Sequence, residues 1–374
     1  MQLLAQGVVY DAATAPREAR FATFATLTQL PDGRLVAAFR VGSSKDSADE
    51  DARAMVSDDE GVTWRPLFGG FGNLPPGRWR VRSLGITPHA GGLIAALTVI
   101  DRSDPSRPLA NPQTQGLLPA RILVAESRDG SSWGELREVG TAPYAGAVTT
   151  GAILELNGGA LALPYESWKD WDDTSLGLHR AALRLSHDGG RSWAETAIVA
   201  HDPSGRLLFW DQRVAVSRDG GLVAAMFWSH DRVAERDVPI HIAWSSGDGH
   251  GWSEPQPTSI EGQICTPLFL PGGRLLATYV HRHDPPGLRA VLSDDGGRSW
   301  RIEEELEFYR KQRVGAESGM GGRRDFGDYW ADMSVWTFGH PWPTLLPDGD
   351  VLIIYYAGDS ESMGVRWARI RLEE

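Results

Sequence analysis

A short signature, Ser-x-Asp-x-Gly-x-x-Trp, recurs along this chain five times in intact or worn form, and no other feature restricts its fold so sharply. Intact copies run Ser57-Asp-Asp59-Glu-Gly61-Val-Thr63-Trp64, Ser186-His-Asp188-Gly-Gly190-Arg-Ser192-Trp193 and Ser293-Asp-Asp295-Gly-Gly297-Arg-Ser299-Trp300. Two are worn: Ser127-Arg-Asp129-Gly130-Ser-Ser-Trp133 is one residue short, and Ser245-Ser-Gly247-Asp248-Gly249-His-Gly-Trp252 has its Asp displaced by one place. The copies start 70, 59, 59 and 48 residues apart, the size of a propeller blade. Such a box closes a hairpin: Ser and Asp side chains tie back to turn backbone, Gly takes a conformation that other residues resist, and Trp tucks under a neighbouring strand. A residue repeated five times around a ring cannot mark one site, so these aspartates are read as structural.

Between the boxes lies a second periodic signal, apolar strands that run into a Gly-rich turn and out again. It occurs at Leu30-Pro-Asp-Gly-Arg34, His89-Ala-Gly-Gly92, Leu156-Asn-Gly-Gly159, Arg218-Asp-Gly-Gly221, Leu270-Pro-Gly-Gly273 and Leu346-Pro-Asp-Gly349. Six such hairpin turns interleaved with five boxes predict an all-β fold, a six-bladed β-propeller of four-stranded antiparallel blades, with residues 1–374 as one domain. The last blade lacks a box, and the strand around Gly7 to Tyr10 is expected to complete it, closing the ring and hiding its edges.

Composition fits this reading. Hydrophobic residues at 41% and charged residues at 23% are ordinary for a chain with a large core, and 43 Gly with 15 Trp suit many short strands joined by tight turns. A formal net charge of −12 disfavours nucleic acid or an anionic membrane as partner, although a local basic pocket can still take a small anion. Cys265 is the single cysteine, so no intrachain disulfide is possible, and it reads as a small buried residue. No window approaches the roughly 18 apolar residues of a membrane span. Residues 1–10 read as a strand rather than a signal peptide, which makes a cytoplasmic location the default expectation.

The boxes, the six Gly-turn hairpins and the blade spacing together resemble the sialidase (neuraminidase) superfamily, also called the BNR-repeat family, over nearly the whole chain. Asp-box proteins include hydrolases, lyases and pure binding modules, so function must be argued from the site. The resemblance implies an Arg in an Arg-Ile-Pro motif at the first inner strand, two further arginines gripping a substrate carboxylate, a Tyr–Glu nucleophile pair and a loop Asp as general acid. This chain departs from that pattern twice: the first position reads Ala22-Thr23-Phe24-Ala25, and the Tyr position is His340 in Phe338-Gly339-His340-Pro341.

Counting seven or eight residues back from each hairpin turn locates the channel mouth. It brings together Thr23 with Phe24, Arg80 with Arg82, Thr149 with Thr150, Asp211 with Arg213, Gln263 with Ile264, and Gly339 with His340. Glu166, Asp211 and His340 are the candidate catalytic groups, joined by Asp49 (or Asp51) from the acidic loop before the first box. Two carboxyl groups suit glycoside hydrolysis, and a histidine can act as acid or base near neutral pH. Arg40, Arg80, Arg82, Arg213, Gln263, His281, Arg282 and Tyr356 are the candidate substrate-binding groups, guanidinium being the usual grip for a carboxylate. Trp168, Trp171, Trp210, Trp330, Trp342 and Tyr355 offer stacking surfaces. The histidines show no zinc-type spacing, so no metal and no cofactor are expected. The segment from Glu303 to Trp336 reads as a long loop over the site or an oligomer contact. The expected function is an exo-glycosidase of sialidase-like architecture releasing a terminal acidic sugar, not necessarily sialic acid, from an oligosaccharide or glycoconjugate. A uronate-directed lyase with a His or Tyr base, and a non-catalytic glycan-binding propeller, are the alternatives.

Overall fold

The computed structural model describes residues 1–74, 78–144, 146–311 and 326–373. Its strands form six separate antiparallel sheets that follow one another in chain order, a six-bladed propeller. Blade 1 comprises Thr23–Gln29, Leu35–Val41, Asp51–Ser57 and Arg65–Phe68, from the axis outward. Blade 2 follows with Trp79–His89, Gly92–Asp101, Ala120–Ser127 and Arg137–Val139. In blade 3 the inner edge is split into Val148–Thr149 and Leu154–Glu155, ahead of Leu161–Ser167, Arg180–Ser186 and Glu195–Ala200. Blade 4 is Leu207–Val216, Leu222–Asp231, Arg236–Ser246 and Gln256–Pro257. Blade 5 is Cys265–Phe269, Leu275–His281, Gly287–Ser293 and Leu306–Arg310. Blade 6 takes Phe338–Leu345, Val351–Gly358 and Met363–Arg371, and its outer strand is the N-terminal Gln2–Tyr10.

The second strand of each blade explains the apolar runs in the sequence. Blades pack face to face around the axis, so this strand is covered on both sides and loses the in–out alternation of a half-exposed strand. Leu35–Val41, Leu161–Ser167 and Leu275–His281 are buried at every position. Their alanines let adjacent sheets approach, while leucine, valine and aromatic side chains fill the wedge between blades.

The five boxes tie these wedges shut. In the intact copies the Ser hydroxyl receives the Gly N–H (Gly61, Gly190 and Gly297, 2.8–2.9 Å), and the Asp carboxylate receives the N–H of Thr63, Ser192 or Ser299, each at 2.8 Å. The turn then bears on the preceding blade. A Cβ on Gly297 would lie 2.7 Å from Ile242 of blade 4, and one on Gly190 would lie 2.7 Å from Ile94 of blade 2. Both glycines also hold positive φ, +96° and +81°.

Antiparallel topology puts the hairpins between first and second strands, and the boxes between third and fourth, on one face of the disc. The loops after the second strands, and the entries to the inner strands, fall on the other face. Two of these are long. Residues 102–119 of blade 2 and 168–179 of blade 3 are zipped together by the Leu117–Asp170 bridge and by Asn111 and Thr114 donating to the Trp171 carbonyl. The expected insertion begins later than the sequence suggested, because Leu306–Arg310 is the outer strand of blade 5. Its residues 312–325 lie outside the described residues, and its end forms the helix Phe326–Val335.

Gly297→Ala is expected to destabilise the protein by about 2 kcal/mol or more, from left-handed backbone strain plus overpacking against Ile242. Urea unfolding followed by tryptophan fluorescence measures this, and a change below about 0.5 kcal/mol would contradict the fastener role.

Candidate active site

Each inner strand enters the disc at the loop-rich face, and three of them begin with the same irregularity. Register jumps between Thr23 and Thr26, Trp210 and Arg213, and Gly339 and Trp342, leaving two bulged residues in blades 1, 4 and 6. The first residue of each bulge, Phe24, Asp211 or His340, holds a left-handed φ of +56°, +51° or +51°. Such backbone costs of the order of 1–3 kcal/mol apiece and re-aims a side chain. Here all three aim into one cleft.

That cleft encloses about 870 Å³ and is lined by Phe24, Arg82, Thr149, Thr150, Glu166, Asp211, Arg213 and His340 at its base. Its walls are apolar: Leu84, Ile100, Leu109, Leu117 and Val148 on one side, Trp168 and Trp210 on the other, and Trp330 with Met333 of the helix above. The three tryptophans touch edge to face, with ring centroids 5.3–6.1 Å apart. A second cavity of about 1030 Å³ adjoins it across Phe24, Arg82, Trp330, Met333 and His340, and adds Lys45, Asp46, Arg282 and Tyr356. Among the described residues, the two together carry four cations, Lys45, Arg82, Arg213 and Arg282, and three carboxyl groups, Asp46, Glu166 and Asp211. Trp342 closes the base of the cleft and also lines the apolar axial cavity that opens on the opposite face.

Glu166 and Asp211 form the chemical centre. Glu166, 3% exposed at the end of the second strand of blade 3, accepts the Gln212 N–H at 2.7 Å on Oε1. Burial first, and the neighbouring Asp211 second, push its pKa well above the usual carboxylate range. Burial also raises Asp211, against the pull of Arg213, whose guanidinium lies 3.3 Å away. Arg213 donates in addition to the Gln212 carbonyl at 2.9 Å and contacts His340 Nδ1 at 3.0 Å. A guanidinium can only donate, so His340 Nδ1 is the acceptor and the ring carries its proton on Nε2. Burial, together with Arg213 and Lys45, holds His340 neutral far below its ordinary pKa. The ring meets Phe24 edge to face at 4.4 Å, and Arg40 and Arg82 lie over Phe24 at 4.7 and 5.0 Å.

Several expected site residues stand elsewhere. Asp49 turns away from the cleft and caps its own loop, accepting from Ser43 N at 3.0 Å and Ser43 Oγ at 3.1 Å. Asp51 binds the Ala52 N–H and Arg53. The acids of that loop that turn inward are Asp46 and Glu50, which the sequence reading passed over. Arg40 is 1% exposed and bound to Glu50, to Thr23 Oγ1 and to the Lys45 carbonyl, so it holds the loop rather than a ligand. Arg82 also reaches Glu50, at 3.0 Å, and Arg102 pairs with Asp46. Arg80 donates to the carbonyls of Ala48 and Trp79 and does not line the cleft. His281 faces the Pro285 carbonyl at 3.2 Å, under its own turn. Gln263 accepts from Arg282 at 2.9 Å and donates to Asp237 at 3.1 Å, and Asp237 in turn receives the Tyr329 hydroxyl of the helix at 2.9 Å. Tyr355 packs in the core beside Phe308 and Tyr309, and Trp171 faces Arg107. Asp46, Glu50 and Arg102 share one signal: each follows a second strand on the loop-rich face. Among the described residues, no group of three or more His, Cys, Asp or Glu side chains is arranged to hold a metal.

No protein-family model and no curated protein matches the sequence. Solved structures do match, and several of them are sialidases. A Dyadobacter fermentans DSM 18053 protein of unknown function superposes with a TM-score of 0.71 at 18% identity, covering 100% of this chain and 99% of that one. The Hadza microbial sialidase Hz136 gives 0.68 at 16% identity, over 98% of this chain and 68% of that one. The Trypanosoma rangeli sialidase gives 0.63 at 13% identity, over 94% of this chain and 55% of that one, so this chain spans about half the trypanosomal length. The chain therefore has the six-bladed sialidase-type fold.

Two measurements probe this region. Glu50→Gln leaves Arg40 buried without its carboxylate and is expected to cost about 3–5 kcal/mol, read by urea unfolding. Acid sensitivity is the second. His179, beside Glu166, is held by burial down to about 4, and His340 is also depressed. At these two histidines the unfolded chain binds more protons than the folded one below about pH 6.5, so their contribution to stability falls as pH drops from there towards 4, by roughly 3 kcal/mol for His179 alone, while the raised Glu166 and Asp211 act in the opposite sense. His179→Gln is expected to flatten that slope in thermal melts taken at stepped pH.

Proposed function

We propose that this protein is a glycoside hydrolase that removes a terminal acidic sugar from an oligosaccharide or glycoconjugate. The observation that carries the reading is the pair formed by buried Glu166 and half-buried Asp211, whose environments separate an acid from a base. Glu166, pushed well above the usual carboxylate range by burial and by Asp211, is the one of the two that holds its proton longer as pH rises and serves as general acid to the leaving oxygen. Asp211, beside Arg213, is the ionised partner that acts on the anomeric carbon, directly or through water. Among the described residues, Arg213, Arg282 and Lys45 bring positive charge to the two cavities, which favours an anionic substrate in a chain that is otherwise acidic. The tryptophan wall suits the apolar face of a sugar ring.

The same geometry favours hydrolysis over β-elimination. His340 spends Nδ1 on Arg213 and resists protonation, so it offers a proposed lyase no base. Burial raises the Tyr356 phenol, which makes it a poor one. The trypanosomal and Hadza sialidases that share the fold support glycosidase-type architecture. Thr23 and His340, standing where an Arg and a Tyr would be expected, favour an acidic sugar other than sialic acid.

A panel of uronyl and sialyl glycosides, assayed for reducing sugar and for ultraviolet absorbance, tests the reading. Reducing ends without absorbance are expected, and Glu166→Gln is expected to lower kcat by about 10²–10⁴-fold with the melting temperature unchanged or raised. Activity should fall as pH rises through the elevated Glu166 pKa, because the acid form is then lost. Conjugated product, or full activity in Glu166→Gln, would sink the proposal.

A further inference from the structure

We infer that His179 is a positioning residue for the Glu166 carboxyl, an assignment that rests on the hydrolase reading above. His179 sits behind the main cleft rather than in it, in the residues just before the third strand of blade 3, with its side chain 5% exposed. Besides the Ser167 backbone, its ring meets three groups. Nε2 lies 3.0 Å from the Phe209 carbonyl, which can only accept, so this nitrogen carries the hydrogen. The same Nε2 lies 3.8 Å from Glu166 Oε2, too far for a hydrogen bond of its own but close enough to bar the carboxyl from swinging back. The ring also lies against Trp168, with centroids 4.4 Å apart at 54°.

The Glu166 carboxyl is therefore confined from two sides, by the Gln212 N–H on Oε1 and by the imidazole beside Oε2. One side chain also spans the acid and the aromatic wall, since Trp168 leans on Trp210 and Trp330 in turn. The charged groups acting on Glu166 are Asp211 and Arg213 of the blade 4 inner strand, and those acting on His179 are Arg180 and Arg232. Both of the latter are cations, and with burial they keep the imidazole neutral. Neutrality matters because an imidazolium here would pair with Glu166 and draw off the proton that the leaving group needs. The N–H of a neutral ring still gives the carboxylate form some support, which an apolar side chain would not.

The test uses His179→Phe and His179→Gln, reading kcat, KM, the pH profile of kcat and the melting temperature. Glu166 is titrated directly by ¹³C NMR with carboxyl-labelled glutamate, its signal assigned with Glu166→Gln. In His179→Phe, kcat should fall about tenfold with KM within about twofold, as expected for a displaced catalytic group. Its alkaline limb and the Glu166 titration should both move up by about half a pH unit or more, because the carboxylate loses its polar neighbour. His179→Gln, which keeps a donor for the Phe209 carbonyl, should restore both. If activity falls in both variants in step with melting temperature while limb and titration stay put, His179 is merely structural. If the titration moves but no glycoside is turned over by the wild type, the hydrolase reading falls and the positioning role stands.

Discussion

Closure of the ring is the constraint on which the rest depends. Six sheets meet around an axis only if every blade buries both faces against its neighbours, and the second strands meet that demand by being apolar at nearly every position. The boxes then hold the outer hairpins of blades 1 to 5 against the blade before, through a glycine that tolerates neither a Cβ nor an ordinary φ. With the outer wall fixed in this way, the inner strands are free to be irregular. Strain of the kind seen at Phe24, Asp211 and His340 persists only where surroundings over-determine the backbone.

The scaffold was legible because it is periodic. Turn glycines and box aspartates act within a few residues of themselves, and their spacing reports blade number directly. The inner-strand register was legible for the same reason, so Asp211, Arg213, Arg82 and His340 were found by counting. What counting cannot see is the direction of a side chain within an irregular loop. Asp49, Glu50 and Asp46 are interchangeable as letters, yet only the geometry of residues 42–50 decides that Asp49 caps a turn while Glu50 faces three guanidiniums. Arg40 and Arg82 look alike in register too. Pairing places Arg40 opposite Thr23, on a strand covered from both sides, whereas Arg82 belongs to an inner strand facing the axis.

Charge in the site is arranged in layers. Nearest the core, Arg40, Arg82 and Arg102 neutralise Asp46 and Glu50, which fixes the blade 1 loop against the first two blades. Nearer the axis, Arg213 joins Asp211 to His340 and so links blades 4 and 6 across the cleft. Glu166 stands apart from both sets, touched by an amide and an imidazole rather than a cation, and burial together with Asp211 drives it strongly towards its protonated form.

Trp342 gives the molecule a floor. Its indole faces the cleft on one side and the axial cavity on the other, and Gly151 opposite has no room for even a methyl group without pressing on that ring. The cleft and the axial cavity on the opposite face thus share one wall, and a change in that indole is felt on both sides of the disc.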